Sequence, residues 1–244
     1  MENNYHYSQK VMEFAQSHSI PMVYASSAAT YGNGEFGYVD DPQLTKIERL
    51  IPVNAYGYSK QLFDVWASKR YSHAKTPWLG LKFFNVFGPG EYHKEGMMSL
   101  VAKAVPQIQQ TGALKLFKSH RSGYEDGEQR RDFVYVKDIV HSMANLYERF
   151  NSGKFDAPNG VYNMGTGEAH SFFELAQEVF RALDHKVNVQ WIDMPESIRN
   201  QYQYFTEADM TRSQEYLRYE NRYSFSAAIK DYVQNYLLHS DQYL

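Results

Sequence analysis

Tyr56 and Lys60 stand four residues apart in the stretch Asn54-Ala-Tyr-Gly-Tyr-Ser-Lys60. On a helix that spacing brings both side chains out on one face, one turn apart. A tyrosine hydroxyl ordinarily titrates at about 10, and a cation one turn away favours its phenolate. Such a pair can act on a substrate hydroxyl as a general acid/base without a metal. With 21 tyrosines in 244 residues, chance alone supplies about one Tyr-x-x-x-Lys. A second pair, Tyr71 and Lys75, is present as well. Only the elements that position the two pairs can separate them.

Asn54 reads as the cap of a helix running to Ser72. Tyr56, Lys60, Phe63, Ala67 and Arg70 share one side of it, with Leu62 and Trp66 on the neighbouring side. Tyr56 and Lys60 thus fall in the first two turns, just past a loop. Tyr71 and Lys75 run off the helix end toward Pro77, where helical spacing fails. Before this helix, Asn3 or Asn4 is placed to cap a first helix whose apolar-leaning face carries Tyr7, Val11, Phe14, Ala15 and His18. Ile20 to Ala25 reads as a short buried strand, ending at Ser26, Ser27, Ala28 and Ala29.

Gly32-Asn-Gly34-Glu-Phe-Gly37 matches Gly-x-Gly-x-x-Gly letter for letter. A dinucleotide site needs that turn directly after a strand and opening a helix. Here the glycines come well after the strand, and Tyr-Val-Asp-Asp-Pro follows, so they read as a surface loop through Pro42 and Pro52.

Downstream, Trp78 to Asn85 reads as a strand, broken by Gly88-Pro89-Gly90. The alternation of helix and strand indicates a parallel sheet. A helix over Met97–Gln110, interrupted at Pro106, comes next. Leu114–Phe117 reads as a strand, 118–130 as a polar loop, Arg131–Val136 as a strand and Lys137–Phe150 as a helix. Val161–Met164 is a strand before Gly165-Thr-Gly167. That turn is open to two readings, a phosphate loop or a tight strand-to-helix connection; the lysine of a P-loop is absent. Ser171 and Glu174 form a capping box for a helix to Leu183. A strand over Val187–Ile192, a loop from Pro195 to Tyr204 and a last helix from Ser224 to Leu238 complete the chain.

Composition narrows the classes. Hydrophobic residues make up 43% of the chain, ordinary for a globular protein. The net charge of −3 gives no electrostatic case for nucleic acid or an anionic membrane surface. There is no cysteine, so thiolate chemistry, disulfides and cysteine-ligated zinc are excluded. No metal site is expected. The first ten residues lack a secretory pattern, and no apolar run approaches the roughly 18 residues of a spanning helix. A soluble, cytoplasmic protein is expected. The 21 Tyr and 15 Phe read as core and interface filling, since no basic stripe accompanies them.

Five segments taken in order carry a resemblance. They are Tyr24-Ala-Ser-Ser27-Ala-Ala-Thr-Tyr-Gly32, Tyr56-Gly-Tyr-Ser-Lys60, Lys82-Phe-Phe-Asn85-Val-Phe-Gly-Pro89, Arg131-Asp-Phe-Val-Tyr-Val-Lys-Asp138 and Asn163-Met-Gly-Thr-Gly167. Together they resemble the extended short-chain dehydrogenase/reductases that act on nucleotide sugars, the NAD-dependent epimerase/dehydratase family. Within it, Ser27-Ala-Ala-Thr-Tyr, Glu91-Tyr-His-Lys94 and Tyr202-Gln-Tyr-Phe-Thr-Glu-Ala-Asp209 are most similar to the ADP-heptose 6-epimerases.

The resemblance implies an α/β fold: a partial Rossmann-like parallel sheet in residues 1–95, and a smaller C-terminal α/β substrate domain in 96–244 with some segments returning to the first. It implies an ADP-sugar substrate, NADP as cofactor with NAD as the other option, and a homo-oligomer when full length. Tyr56 and Lys94 would be the two acid/bases. Lys60 would assist Tyr56 and bind the nicotinamide ribose, and Ser27 would hydrogen-bond the reacting oxygen. Asn3, Val86 and Lys94 would touch the cofactor. Asn85, Gly96, Lys103, Phe117, Arg131 and Tyr202 would contact substrate, with Arg131 on the diphosphate, which a planar guanidinium suits. The implied reaction oxidises carbon 6 of a heptose of the lipopolysaccharide core to a ketone and reduces it from the opposite face.

This chain departs from the family in three ways. Gly90 stands where the family has Arg, and 118–130 is longer than the family's loop. The glycine-rich first half of the dinucleotide fold, roughly 80 to 90 residues, has no counterpart. On that basis the strands at Ile20 and Trp78 are expected to have an open edge, and the chain alone to be inactive and poorly soluble. Another nucleotide-sugar epimerase or dehydratase, and a non-catalytic sugar-nucleotide-binding fragment, remain alternatives.

Overall fold

The computed structural model describes residues 1–199 and 202–239. In chain order, a helical turn over Glu2–Tyr7 continues into α1 (Ser8–Ser17), followed by β1 (Met22–Ser27), a 3₁₀ turn (Ala28–Tyr31), α2 (Leu44–Glu48) and α3 (Ala55–Tyr71). Next come β2 (Trp78–Phe83), β3 (Asn85–Phe87), a 3₁₀ segment (Tyr92–Met97), α4 (Leu100–Thr111), β4 (Leu114–Phe117), β5 (Arg130–Tyr135) and α5 (Val136–Asn151). β6 (Gly160–Met164), β7 (Ala169–Ser171), α6 (Phe172–Ala182), β8 (Val189–Ile192), α7 (Glu196–Arg199) and a turn over Ser213–Leu217 follow. α8 (Phe225–Tyr232) then runs on as a wider turn over Val233–Leu237. Among the described residues no helix is long and apolar enough to cross a membrane.

The chain divides into two compact units. The first comprises Met1–Phe84, His141–Gly167 and Thr206–Glu220; the second comprises the remainder, beginning at Asn85.

In the first unit, β1, β2 and β6 form an all-parallel sheet in the order β1-β2-β6. Met22 stands opposite Trp78, and Leu79 opposite Gly160. The sequence Trp-Leu-Gly-Leu of β2 is apolar without alternation, as a strand covered on both faces requires, and it is buried. An open edge at the Trp78 strand is therefore not found, because β2 is the central strand. Among the described residues β1 has a neighbour on one side only. Met12, Phe63, Ala67 and Trp78 form the apolar cluster that ties α1 and α3 to this sheet. Truncating a buried aromatic such as Trp78 to Ala costs about 3–5 kcal/mol.

That cluster also decides how the N-terminal helix lies. Its inward residues are Met12 and Ala15, while Tyr7, Val11 and Phe14 are exposed. Asn3 and Asn4 do not cap it: the helical path begins at Glu2 with no side-chain cap. Asn4 instead donates to Ser59 Oγ of α3 at 3.1 Å, a tertiary contact that no local pattern announces. His18, on the face that reads as apolar-leaning, is exposed too.

In the second unit, β3 pairs parallel with β5, and β5 pairs antiparallel with β7. β4 and β8 form a parallel pair. Its core gathers α4, α6 and α8 through Val101, Val105, Ile108, Val179, Phe180 and Ile229. The expected interruption at Pro106 is absent, and α4 runs through it. A proline keeps a helical φ and removes one hydrogen bond, and the buried Val101, Ala104, Val105 and Ile108 around it outweigh that loss. The capping box at Ser171 and Glu174 forms in full at the head of α6. α2, β7, α7 and the turn at Ser213 lie in stretches that read as loop or were too short to show a period. Of the expected loop at 195–204, Asn200 and Gln201 lie outside the described residues.

Candidate active site

Asn54 caps α3 by accepting from Gly57 N at 2.8 Å, which fixes where Tyr56 leaves the helix. Tyr56 is 51% exposed, and the Lys60 ammonium lies 5.9 Å from its ring centroid. Lys60 donates to the carbonyl of Ala25 in β1 at 2.9 Å. Burial pulls its pKa below the ordinary lysine range, and Asp64 opposes that shift. Gly57 permits the approach of the adjoining turn: a Cβ there would sit 2.6 Å from Ala29 O. Ser27 ends β1 and caps that turn, accepting from Ala29 N at 3.1 Å. So α3 and the end of β1 bring Tyr56, Lys60 and Ser27 to one region of the first unit. Asn3 is exposed on the first helical turn.

Beneath them lies a buried polar network that sequence reasoning missed. Lys82 Nζ donates to Asp64 Oδ2 at 2.8 Å and to Thr30 Oγ1 at 2.6 Å. Asp64 also accepts from Ser26 at 2.7 Å and Tyr24 at 2.9 Å. Thr30 in turn donates to Ser27 O at 2.8 Å. The available signal was a charge inside an apolar strand, Lys82 in Leu-Lys-Phe-Phe, with an acid on the helix bearing the Tyr/Lys pair. Nearby, Asp40 accepts from Asn163 N at 2.7 Å. Burial raises its pKa from the usual carboxylate range to about 6, against that hydrogen bond and the Arg212 guanidinium.

The second Tyr/Lys pair is not a pair in the structure. α3 ends at Tyr71, whose hydroxyl accepts from Arg70 Nε at 3.2 Å and whose carbonyl accepts from Trp78 Nε1 at 2.8 Å. Lys75 lies in the bend beyond. The glycines at 32, 34 and 37 all take positive φ in a turn that opens no helix. Gly165-Thr-Gly167 leads into β7, not directly into a helix.

In the second unit, Asn85 and Val86 open β3, Asn85 exposed and Val86 half-buried. The segment carrying Lys94 is held by Glu91, which is 3% exposed. Glu91 accepts from Ser99 N and Ser99 Oγ, both at 2.6 Å, and from Tyr232 OH at 3.0 Å. Burial, with the Glu91 carboxylate, raises the Tyr232 pKa far above its ordinary range. This clamp closes a loop in which Lys94 is exposed and Glu95 takes φ +46°, a strained value for a residue with a side chain. Gly96 O accepts from Lys103 Nζ at 2.5 Å.

Lys103, Phe117 and Tyr202 line one cavity of 340 Å³, with Leu116, Gln129 and Ile192 among its other walls. Tyr202 meets Phe117 edge-on, with ring centroids 6.3 Å apart. Arg131 lies 5.2 Å over the Tyr202 ring and donates to the carbonyls of Arg130 and Gln203. Burial raises the Tyr202 pKa, with Arg131 opposing. Of the expected substrate contacts, Lys103, Phe117, Arg131 and Tyr202 thus come together, and Gly96 joins them through Lys103. Asn85 is not part of this cavity's lining.

Comparison with known proteins adds an independent line. The sequence pattern of the NAD dependent epimerase/dehydratase family matches residues 1–165. ADP-L-glycero-D-manno-heptose-6-epimerase of Fusobacterium nucleatum is 46% identical over the whole of this chain, which covers 73% of that protein. Its counterpart in Nitratidesulfovibrio vulgaris Hildenborough is 44% identical over the whole chain, covering 72%. The crystal structure of the Helicobacter pylori ADP-L-glycero-D-manno-heptose-6-epimerase superposes with a TM-score of 0.76 at 29% identity, over 95% of this chain and 65% of that one. A UDP-glucose 4-epimerase from Brucella ovis in complex with NAD has a TM-score of 0.73 at 18% identity, over 94% of this chain and 69% of that one. At that identity the likeness is one of fold, a Rossmann-like α/β fold with parallel sheets.

Proposed function

The chain belongs to the NAD dependent epimerase/dehydratase family, and on that premise we propose that it inverts carbon 6 of ADP-D-glycero-D-manno-heptose through a transient ketone, using NADP. The observation that carries this reading is the 46% identity to the F. nucleatum heptose epimerase along the whole chain. The clustering of Lys103, Phe117 and Tyr202 around one cavity supports it.

The residues present fit the nicotinamide end of such a cofactor. An ammonium has three donors, and Lys60 has one on Ala25 O, so two remain for a ribose diol. The exposed Asn3 amide and half-buried Val86 offer polar and apolar contact, and Lys94 a further charge. Among the described residues the Gly-x-Gly stretch at 32–37 opens no helix, so no residue is assigned to the cofactor's pyrophosphate. When bound, a nicotinamide cofactor supplies reversible hydride acceptance.

In this reading Tyr56 takes the hydroxyl proton from the oxygen on carbon 6 as the ketone forms. The Lys60 cation stabilises negative charge on the Tyr56 oxygen, and the Ser27 hydroxyl donates to the reacting oxygen. Lys94 acts for the opposite face of the ketone, so one group serves each stereochemical course. Asn85 and Gly96 contact the sugar, Arg131 the diphosphate, and Phe117 and Tyr202 wall the nucleotide cavity. Residues 1–95 serve the cofactor and 96–244 mainly the substrate. We further read the protein as a cytoplasmic homo-oligomer of lipopolysaccharide-core synthesis, with neither nucleic acid nor membrane as partner; the net charge of −3 supports the last point.

The test is to purify the native protein and incubate it with ADP-D-glycero-D-manno-heptose, reading the configuration at carbon 6 by proton NMR and releasing bound dinucleotide by heat. Formation of the L-glycero epimer with NADP in the extract is expected where the glycine-rich cofactor half is present, and no turnover from the 244-residue chain alone. Inversion of a UDP-hexose at carbon 4 with no change at carbon 6 would overturn the reading.

A further inference from the structure

Gln129 is a buried amide with an unused end. The residue is 1% exposed, and its Nε2 has no hydrogen-bond partner among the described residues. Its carbonyl is engaged by the local structure, since Gln129 O accepts from Phe172 N at 3.1 Å. A buried amide without a partner is disfavoured unless something else satisfies it. The side chain lines the 340 Å³ cavity of the second unit, a volume within the range of small-ligand pockets.

The rest of that cavity defines what kind of group would meet the amide. Leu116, Ile192, Phe117 and Tyr202 give apolar and aromatic walls, suited to a flat ring. Lys103, on the same lining, uses one donor on Gly96 O and keeps two for an anion. Arg131 stacks on Tyr202 at 5.2 Å. A ligand with a planar ring at one end and a diphosphate at the other matches this distribution of apolar surface and charge. Among the described residues the neutral side-chain amides on the lining are Gln107 and Gln129, and the Gln107 oxygen already accepts from Lys115 N at 2.6 Å.

We propose that Gln129 reads the edge of the adenine ring, donating to a ring nitrogen and accepting from the exocyclic amine. An amide offers a donor and an acceptor side by side, the complement that lets Asn and Gln side chains recognise adenine in nucleic acids. This rests on the ADP-sugar reading above. It assigns base recognition to a residue that none of the five resemblance-bearing segments contains.

The experiment compares ADP with purine riboside 5′-diphosphate, which lacks the exocyclic amine, by calorimetry on the native protein and on Gln129→Met and Gln129→Glu. Native protein should bind ADP about 10-fold or more tighter than the purine analogue. Gln129→Met should abolish that preference, leaving the two ligands within about 2-fold, with kcat for the ADP-sugar little changed and KM raised about 10-fold. Gln129→Glu keeps the acceptor and loses the donor, so it should retain a preference for the amine-bearing ligand while weakening both; it serves if the Met variant does not fold. An unchanged ADP preference in both variants would overturn the role of Gln129 while leaving the ADP-sugar reading intact. Failure of native protein to bind ADP better than inorganic pyrophosphate would overturn that reading and the inference with it.

Discussion

Replacing Lys82 with Met leaves Asp64 as a buried carboxylate without its cation. Both side chains of the pair are 1% exposed and 2.8 Å apart. Removing one member of a buried pair costs about 3–5 kcal/mol, chiefly because the remaining charge stays desolvated. Asp64 keeps two neutral donors, Ser26 and Tyr24, so Lys82→Met should fall near the lower bound, about 3 kcal/mol. Asp64→Leu should cost more, because it strands Lys82 and also orphans those two donors, each worth about 1–3 kcal/mol when unsatisfied. The double variant removes both charges, so its loss should be at least about 2 kcal/mol smaller than the sum of the singles. Urea titrations followed by circular dichroism give all three values. Repeating them in high salt should change little, since a buried pair is weakly screened. Activity should fall as well, because Thr30 accepts from Lys82 and donates to Ser27 O. Two single losses below about 1 kcal/mol that simply add would refute the reasoning.

Two further outcomes follow from other parts of the structure. The Asp40 carboxyl has a folded pKa of about 6 against an ordinary 3.8. The proton is therefore bound more tightly in the folded state. That contribution is complete below pH 3.8 and is lost as pH rises through 6, a change of about 3 kcal/mol. Asp40→Asn should remove it, so the variant should gain stability relative to the native protein between pH 4 and 7; a flat difference in urea midpoints would contradict this. Glu91→Gln replaces a carboxylate that accepts from Ser99 N, Ser99 Oγ, Tyr232 OH and, at 3.5 Å, Gly88 N with a group that must itself donate. Turnover should drop by about 10-fold or more with KM little changed, and native-like steady-state rates would show that the clamp does not position Lys94.

Much of the fold follows from local patterns. The Asn54 cap, the Ser171–Glu174 box and the apolar run of β2 each have a short-range cause, and all three form. The Tyr56–Lys60 spacing is legible for the same reason, because α3 alone determines it. What the sequence concealed depends on partners far along the chain. The inward face of α1 is chosen by Phe63 and Trp78, so Met12 turns in and Phe14 out. Pro106 stays helical because the core of the second unit holds α4. β2 is central because β6, some eighty residues on, pairs with it. The Lys82–Asp64 pair and the Gln129 amide are invisible for the same reason: a lone charge or amide acquires meaning only once its surroundings are known.

The central claim is that Tyr56, and not its look-alike Tyr71, is the acid/base for a C6 epimerisation. The direct measurement is turnover of ADP-D-glycero-D-manno-heptose by native protein, Tyr56→Phe and Tyr71→Phe, with product configuration read by NMR. Removing one acid/base hydroxyl should lower kcat about 10²–10⁴-fold in Tyr56→Phe, while Tyr71→Phe, whose hydroxyl accepts from the neighbouring Arg70 Nε, should stay within about 2-fold. Retained turnover in Tyr56→Phe together with its loss in Tyr71→Phe would contradict the account.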